Sequence, residues 1–311
     1  MRFKNLDLNL LIALDVLLQE RTVSSAAERL HLSQSALSGA LARLRQHFND
    51  ELVVSSGRRL VATSLAESLR MPLREAIFQI EAVVTATGDF DPMKSRRTFR
   101  LEIPDYLAPV LLSDLARITA VDAPDILLEL RLPSGDPAPL LQKGELDLVI
   151  TPEFYSDPDY VAEPFATQEH VLVGWSKNSS LQNQPDREAF LTMRQVVVRF
   201  DRKRLGALPE DEISAYSGAG RIAMVAPNYS SIPASLIGTD RVAIMHERLA
   251  RTFAATFPIE IWDVPIPITP FKDVMMYHGM RRQDAGLSWL RHLLLRIARG
   301  WEERFNMHEK R

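Results

Sequence analysis

Residues 23–48, VSSAAERLHLSQSALSGALARLRQHF, are the stretch that decides how the first part of this chain folds. Ser25 and Glu28 have the spacing of a capping box, which predicts a short helix starting near Ser25. His31 falls where the chain must turn, and histidine is among the few non-glycine residues that tolerate a positive φ. Ser33 can cap a second helix through its hydroxyl. The stretch therefore predicts two helices joined by a tight turn. An amphipathic helix over residues 6–20, with Asp7 as a possible cap, is predicted to precede them.

The second predicted helix has one buried and one open side. Apolar residues recur at helical spacing on the buried side, namely Ala36, Leu37, Ala40, Leu41 and Leu44. Polar and basic residues are left on or near the open side, namely Gln34, Ser35, Ser38, Arg43 and Arg45. Glutamine can bond adenine in two places, serine can bond base edges or phosphate, and arginine can bind phosphate or guanine. With Ser33, these residues are candidates for DNA contact, although an ordinary helical hairpin with a polar face fits the same pattern.

A predicted β-hairpin follows the second helix. Residues 52–55 are β-prone, Ser56-Gly57 is a turn signal, and two arginines lead into residues 60–62. A pair of charges at a hairpin tip is usually only solvated. Beside a candidate recognition helix, however, Arg58 and Arg59 are placed to hold DNA phosphates.

These segments together resemble the amino-terminal domain of LysR-type transcriptional regulators. The resemblance rests on LDLNLLIALDVLLQERTVSSAAERLHLSQSALSGALARLR followed by DELVVSSGRRLVATSLAESL. The start, MRFKNLDLNLLIALD, is similar to the branch of nodulation regulators and regulators of aromatic-compound degradation. Later in the chain QKGELDLVI and YHGMRRQDAGLSWLR match more loosely, but in order. The resemblance implies an α/β protein with a winged helix-turn-helix domain, a long linker helix and a two-lobed effector domain similar to periplasmic binding proteins.

Length and composition limit the class of protein. A chain of 311 residues suits two or three domains, and 46% hydrophobic with 25% charged residues is ordinary for a protein with a substantial core. No apolar run reaches about 18 residues, and the first residues lack the basic-then-apolar pattern of a signal peptide, so we expect no membrane partner. Cysteine is absent, which excludes disulfides and thiolate metal sites. We therefore expect a cytoplasmic protein.

Charge is unevenly distributed along the chain. Residues 1–63 carry a net charge of +2, and the remainder carries −5. A positive surplus suits phosphate binding, but this one is small. We therefore expect DNA affinity to depend on local placement of charge and on the pairing of two or more copies.

A long helix is predicted from Ser64 to about Ala86, with Ser64 and Glu67 as a capping box. Pro72 should bend this helix, since an interior proline costs about 3 kcal/mol. An apolar stripe runs along the helix through Leu65, Leu69, Leu73, Ala76, Ile77, Ile80, Val83 and Val84. The stripe predicts dimerisation, with packing inside its own chain as the alternative, and a two-fold dimer would meet an inverted repeat in DNA.

The remainder of the chain alternates strands with helices, which predicts an α/β domain around a largely parallel sheet. Glu163–Phe165 and Val264–Pro270 are the predicted crossovers between its two lobes. The predicted domains are a winged helix-turn-helix at 1–63, a linker helix at 64–87, a hinge at 88–96, one lobe at 97–165 with 265–305, and a second lobe at 166–264.

Clefts between such lobes lie beyond strand ends and are the default place for a small-molecule inducer. The strand-end candidates are Asp105, Tyr106, Leu107, Thr151, Glu153, Phe154, His170, Phe200, Arg202, Tyr229, Ser230, Arg248, Tyr277 and His278. The resemblance implies pocket positions for His170, Arg248 and His278. His170 could bond a hydroxyl or carboxylate, Arg248 could hold a carboxylate in two bonds, and the aromatic candidates could cover a ring, so we expect an aromatic or carboxylate-bearing effector. For each residue a purely structural role is the alternative.

Three functions compete at this point. The first is a ligand-responsive transcription factor, either activator or repressor, for which the family implies a homotetramer on double-stranded DNA and contact with RNA polymerase. The second is a DNA-binding regulator controlled by a protein partner. The third, an enzyme with an appended DNA-binding domain, lacks support because the sequence has no GxSxG, P-loop, GxGxxG or HExxH motif and no metal-ligand spacing. No cofactor or metal is expected.

Overall fold

The computed structural model of the protein describes residues 2–3, 6–20, 22–56, 59–85, 90–198 and 221–306. Three of the predicted contact residues, Arg58, Phe200 and Arg202, lie outside these ranges. The chain divides into two compact units. The first contains residues 1–89 with the short segments Gln142–Gly144 and Met280–Ala285, and the second contains the remainder.

The first unit is a small helical domain with a β-hairpin. Its elements are β1 (Arg2–Phe3), β2 (Leu6–Asp7), α1 (Leu8–Gln19), α2 (Val23–Arg29), α3 (Gln34–Phe48), β3 (Val53–Ser56), β4 (Arg59–Ala62) and α4 (Ser64–Thr85). Asp7 caps α1 as predicted, accepting a hydrogen bond from the Asn9 amide at 3.0 Å. The core joins the leucines of α1 to apolar residues of α2, α3, β3 and α4. Every element of the hairpin and helices therefore has one side in a single shared core.

Two helices are capped by the threonine that precedes them and not by the predicted serine. Thr22, in extended conformation, caps α2 by accepting from the Ser25 amide at 3.1 Å. Thr63 caps α4 by accepting from the Ala66 amide at 3.1 Å. The long helix begins at Ser64 as predicted, but Ser25 and Ser64 lie inside their helices, so the predicted capping boxes are wrong. A cap is the residue just before the first helical one, and this is the position of both threonines.

Three turns of the first unit use positive φ at non-glycine residues. His31 has φ +54° as expected, Asn49 ends α3 with φ +50°, and Leu52 has φ +58°. Leu52 is fully buried, and its amide donates to the Asp50 carboxylate at 2.6 Å. The same carboxylate oxygen accepts from the Thr63 hydroxyl at 2.7 Å. Asp50 and Thr63 therefore tie the end of α3 to the start of α4.

The long helix α4 runs without interruption through Pro72. Leu73 is buried and packs, with Leu69 and Ile77, against the core of the first unit. Leu65 is 37% exposed. The bend at Pro72 stays a prediction. The described part of the apolar stripe is thus shared between the unit's own core and solvent.

The second unit contains two lobes, each built on a five-stranded sheet. Lobe 1 has strand order β6-β5-β7-β14-β8, from β5 (Thr98–Glu102), β6 (Leu127–Arg131), β7 (Leu148–Pro152), β8 (Val161–Gln168) and β14 (Phe271–Tyr277). Lobe 2 has order β11-β10-β12-β9-β13, from β9 (His170–Trp175), β10 (Gln195–Val198), β11 (Ile222–Ala226), β12 (Val242–His246) and β13 (Ile259–Trp262). The helices are α5 (Ala108–Asp122), α6 (Ala138–Gln142), α7 (Arg187–Thr192), α8 (Ile232–Leu236), α9 (Glu247–Ala254) and α10 (Ala285–Asn306).

Both sheets are mixed, which corrects the expectation of a largely parallel sheet. The first three strands of each order run parallel, whereas β14 is antiparallel to β7 and β8, and β9 is antiparallel to β12 and β13. The reason is that the chain changes lobe directly from β8 to β9 through Glu169. It returns through residues 263–270, which include the predicted crossover Val264–Pro270. Residues 163–165, the other predicted crossover, lie within β8.

None of the helices within the described ranges is both long and apolar enough to span a bilayer.

We expect Thr63→Val to destabilise the first unit by about 1–2 kcal/mol, because it removes the cap of α4 and the bond to Asp50. Urea unfolding of the full chain is followed by the helical circular-dichroism signal, to which both units contribute, and by tryptophan fluorescence; a change in the first signal alone reports the first unit. All four tryptophans belong to the second unit, so the tryptophan-fluorescence transition should not move. Ser68→Ala is the matched control, since the Ser68 hydroxyl only donates to the Leu65 carbonyl on an exposed turn. Equal effects of the two variants would contradict the assigned role of Thr63.

Candidate DNA-binding surface and inter-lobe site

Helix α3 presents a polar face to solvent. Ser33 caps it, accepting from the Ala36 amide at 3.1 Å, and its hydroxyl lies 2.9 Å from that of Ser35. Gln34, Ser35 and Ser38 are all exposed, and the Gln34 amide donates to the Ser24 hydroxyl at 2.8 Å. Side-chain donors and acceptors thus line the first turns of α3 on its open side. Their contact with DNA stays a prediction.

The opposite face of α3 anchors it. Leu37, Leu41 and Leu44 are buried against the core of the first unit. Ala40 is half-buried, but Ala36 is exposed, contrary to the prediction. Ala36 lies in the first turn, ahead of the part of the helix that packs on α1. Three leucines at helical spacing therefore determine how α3 is rotated.

The two predicted arginines on α3 have different surroundings. Arg43 is half exposed and lies 3.8 Å from the Asp7 carboxylate. Arg45 donates to the backbone carbonyls of Glu51 and Val53, at 2.9 Å and 2.8 Å, and pairs with the Glu51 carboxylate. Arg45 therefore braces the loop before the hairpin, which corrects its predicted position on the open side.

The hairpin beside α3 pairs β3 with β4 antiparallel, with Ser56 opposite Arg59. Arg59 is exposed at the start of β4. A cationic side chain at this position is available to a phosphate next to a groove that holds α3. The polar face of α3 and Arg59 together form the candidate DNA-binding surface.

The inter-lobe site lies at the junction of the two lobes, where β9 begins and β12 ends. His170 and His246 are direct partners in this antiparallel pair, with ring centres 5.1 Å apart. Tyr106, which follows β5, stacks on His246 with ring centres 3.9 Å apart. Tyr229 meets His246 edge-on at 4.7 Å, and Phe271 lies 5.7 Å from His170. Two imidazoles are thus enclosed by aromatic rings from both lobes.

Two carboxyl groups complete the cluster. Asp273 is fully buried and accepts from the Tyr106 hydroxyl at 2.7 Å and the Gln168 amide at 2.6 Å. Asp105 accepts from the Tyr229 amide at 2.6 Å. The bond from Tyr229 joins a loop of lobe 2 to the end of a lobe 1 strand. These contacts make the cluster a continuous network across the two lobes.

Burial shifts the pKa values of the ionisable groups of the cluster towards their uncharged forms. It lowers the pKa of His170 to about 4, and together with the neighbouring His170 it lowers the pKa of His246 well below 6.5. It raises the pKa of Asp273 to about 6, against the hydrogen bonds from Tyr106 and Gln168, and also raises the pKa of Asp105. No ring nitrogen of His170 or His246 has a hydrogen-bond partner within the described part of the chain. Those buried nitrogens are suited to bonding a guest molecule.

The predicted effector residues divide into two groups. The structure brings Asp105, Tyr106, His170 and Tyr229 together, and the exposed Phe154 ring lies 5.7 Å from Phe271. The remaining candidates near these strand ends are the buried Leu107, the half-buried Thr151, the exposed Glu153 and Ser230, and Arg248. Arg248 donates to the Thr167 carbonyl and lies 5.9 Å from the Trp301 ring, so it contacts lobe 1.

Tyr277 and His278 are placed elsewhere, which corrects their predicted location. Tyr277 donates to the Glu163 carboxylate at 2.7 Å, and the His278 ring lies against Tyr160. Because β14 runs antiparallel to β7, its end lies at the opposite edge of the sheet from the cluster. The start of β14 lies at the cluster instead.

The sequence prediction missed four members of the cluster: His246, Asp273, Gln168 and Phe271. The sequence held a signal for two of them, because Asp273 interrupts the strand FKDVMMY and His246 ends the apolar strand VAIMH. A buried charge in an apolar strand usually has a partner or a function. Finding these residues required knowing which strands run antiparallel.

The comparisons with known proteins cover almost the whole chain. Residues 8–67 match the family described as bacterial regulatory helix-turn-helix protein, lysR family, and residues 94–299 match the LysR substrate binding domain. Nodulation protein D 1 of Mesorhizobium japonicum is 37% identical over 298 residues, covering 96% of this chain and 95% of that protein. Nodulation protein D 2 of Bradyrhizobium diazoefficiens is 36% identical, covering 96% and 90%.

Solved structures have the same fold. A probable transcriptional regulator from Pseudomonas aeruginosa matches with a TM-score of 0.65 at 28% identity, covering 94% of this chain and 97% of that one. Full-length CbnR, crystallised in complex with its target DNA, matches with a TM-score of 0.54 at 14% identity, covering 94% and 99%. At that identity the second match shows the fold alone.

Acid should destabilise the second unit through His170. Unfolded histidine titrates near 6.5 and His170 near 4, so between these values only the unfolded chain binds the proton, and stability falls as pH is lowered. The loss is up to about 3 kcal/mol at 1.36 kcal/mol per pKa unit. Asp273 acts oppositely, because its pKa is raised from 3.8 to about 6 and stability falls as pH rises between them.

We expect His170→Gln to reduce the loss of stability between pH 6.5 and 4, and Asp273→Asn to make it steeper. Urea unfolding of the full chain followed by tryptophan fluorescence measures both, since this signal reports only the second unit. Two variants that follow the wild-type pH profile would show that burial shifts the pKa of neither group.

Proposed function

The chain belongs to the LysR family of DNA-binding transcriptional regulators, and we propose that it binds an inverted-repeat promoter site as a dimer of dimers and responds to a small effector. The regulator itself is not an enzyme. The observation that carries the proposal is the open face of α3, where exposed Gln34, Ser35 and Ser38 stand opposite three buried leucines. We place its action in the cytoplasm, where it would meet promoter DNA and RNA polymerase.

Pairing through α4 is the second part of the proposal. The described part of the α4 stripe packs against its own unit at Leu73 but leaves Leu65 37% exposed and Ala76, Ile77 and Ile80 half-buried. A second α4 would cover this remaining apolar surface. A two-fold dimer presents two α3 helices to an inverted repeat, and two such dimers give the proposed tetramer.

The inter-lobe site supports a small aromatic effector. Tyr106, Tyr229 and Phe271 enclose the site, and His170 and His246 offer ring nitrogens to a polar group. Because burial holds these imidazoles neutral, the site favours an uncharged polar aromatic compound over a carboxylate, the other chemistry considered from the sequence. An effector acts only through its different affinity for the two lobe arrangements.

DNA recognition is tested by Gln34→Ala/Ser38→Ala. A duplex selected from a random-sequence pool by the wild-type protein serves as the operator. A base contact of this kind contributes about 1–3 kcal/mol, so the variant should bind the operator about 10- to 100-fold more weakly in an electrophoretic or anisotropy assay.

Gln182→Ala/Ser180→Ala is the matched control, since it makes the same two replacements at exposed positions of the second unit. Equal affinity of the two double variants for the operator would reject α3 as the reading helix.

Effector binding is tested by the melting temperature in the presence of pooled aromatic acids, their methyl esters and flavonoids. A ligand at 100 times its Kd adds about 2.7 kcal/mol of stability. We expect uncharged members to raise the melting temperature and His246→Phe to abolish the rise. If neither charged nor uncharged members raise it, control by a protein partner becomes the better proposal.

A further inference from the structure

A buried ion pair joins α1 to α4. Asp15 interrupts the apolar sequence of α1, yet it lies on the buried face beside Leu14 and is 9% exposed. Arg74, on the part of α4 that packs against α1, places Nε 2.5 Å from Asp15 Oδ1. The Gln19 amide donates to Asp15 Oδ2 at 2.7 Å. Both charged side chains are almost entirely covered, at 12% and 11% exposure.

The surroundings of this pair are mostly apolar, and Arg74 also donates to the Lys143 carbonyl. Burial raises the pKa of Asp15, and Arg74 opposes that effect without cancelling it. Leu14, Leu17 and Leu73 lie in the same core and exclude water from the helix contact. The carboxylate therefore depends on Arg74 and Gln19 for the interactions that water would otherwise provide.

A buried ion pair of this kind contributes more to fixing the relative position of the two helices than to the stability of the fold. Two buried charges can often be replaced together by apolar residues without loss of stability, whereas separating them is strongly unfavourable. A small tilt or slide of α4 would leave the non-directional apolar contacts of Leu69 and Leu73 largely intact. The same movement would separate Arg74 from Asp15 while both side chains remain buried.

We propose that the Asp15–Arg74 pair fixes the direction in which α4 leaves the winged-helix unit, and thereby the spacing between DNA half-sites that the regulator accepts. This inference rests on the proposed pairing through α4. In a two-fold dimer the direction of α4 determines where the second α3 lies. Neighbouring base pairs are separated by about 3.4 Å along the duplex, so a small error in direction places the second α3 on the wrong base pair.

The test compares binding to inverted half-sites whose centres are moved closer or further apart by one and two base pairs. The half-site sequence comes from the duplex selected by the wild-type protein. We expect the wild type to bind its best spacing at least about 10-fold more tightly than spacings two base pairs away. Asp15→Leu/Arg74→Met should keep the wild-type melting temperature while its affinities over all spacings fall within about 3-fold of each other.

Asp122→Asn/Arg296→Gln is the matched control, because it removes an exposed ion pair from the second unit and also leaves the net charge unchanged. It should retain the wild-type spacing profile. Asp15→Asn, which leaves Arg74 without its charged partner, should lower the melting temperature.

Two results would overturn the proposal. One is a folded Asp15→Leu/Arg74→Met variant with the wild-type spacing profile. The other is failure of that variant to fold, which would make the pair a requirement for folding and not for spacing. Failure of the proposed function is visible separately in the wild type, which would then bind a single half-site as tightly as a pair.

Discussion

The burial of Leu37, Leu41 and Leu44 beneath α1 is the constraint on which the first unit depends. A helix can bury only one side in so small a core, so fixing this side also fixes what is left to solvent. The solvent side holds Gln34 and Ser38, whose groups match base edges. The side chains available to DNA thus follow from packing, because one rotation of α3 both buries the leucines and exposes Gln34 and Ser38.

Two arginines of the first unit help to hold the unit together. Arg45 binds carbonyls of the loop before the hairpin, and Arg74 binds Asp15 inside the core. The net charge over residues 1–63 is only +2. Such a unit gains affinity from pairing more than from overall electrostatic attraction. The geometry of pairing consequently matters more to this regulator than it would to a strongly basic one.

In the second unit, the return of the chain between lobes creates the site. The start of β14 carries Phe271 and Asp273, and the end of β12 carries His246. These strands place their side chains at the junction between the two lobes, where the residues after β5 and at the start of β9 also lie. Burial keeps the two histidines of the site neutral, so that they can bind a guest through hydrogen bonds and not through charge.

The sequence by itself determined the local features of this protein. Helix spacing identified the buried face of α3, Ser33 and Asp7 identified two caps, and His31 identified a turn, because each depends only on neighbours along the chain. The family likeness supplied the order of the domains.

The tertiary structure decided which distant residues meet. Tyr277 was predicted at the site and Asp273 was not, because strand direction is invisible in a pattern of apolar residues. The bracing role of Arg45 and the pairing of Asp15 with Arg74 were hidden for the same physical reason. A charged side chain is assigned to solvent, ligand or partner only when the fold shows which of these lies within a few ångströms.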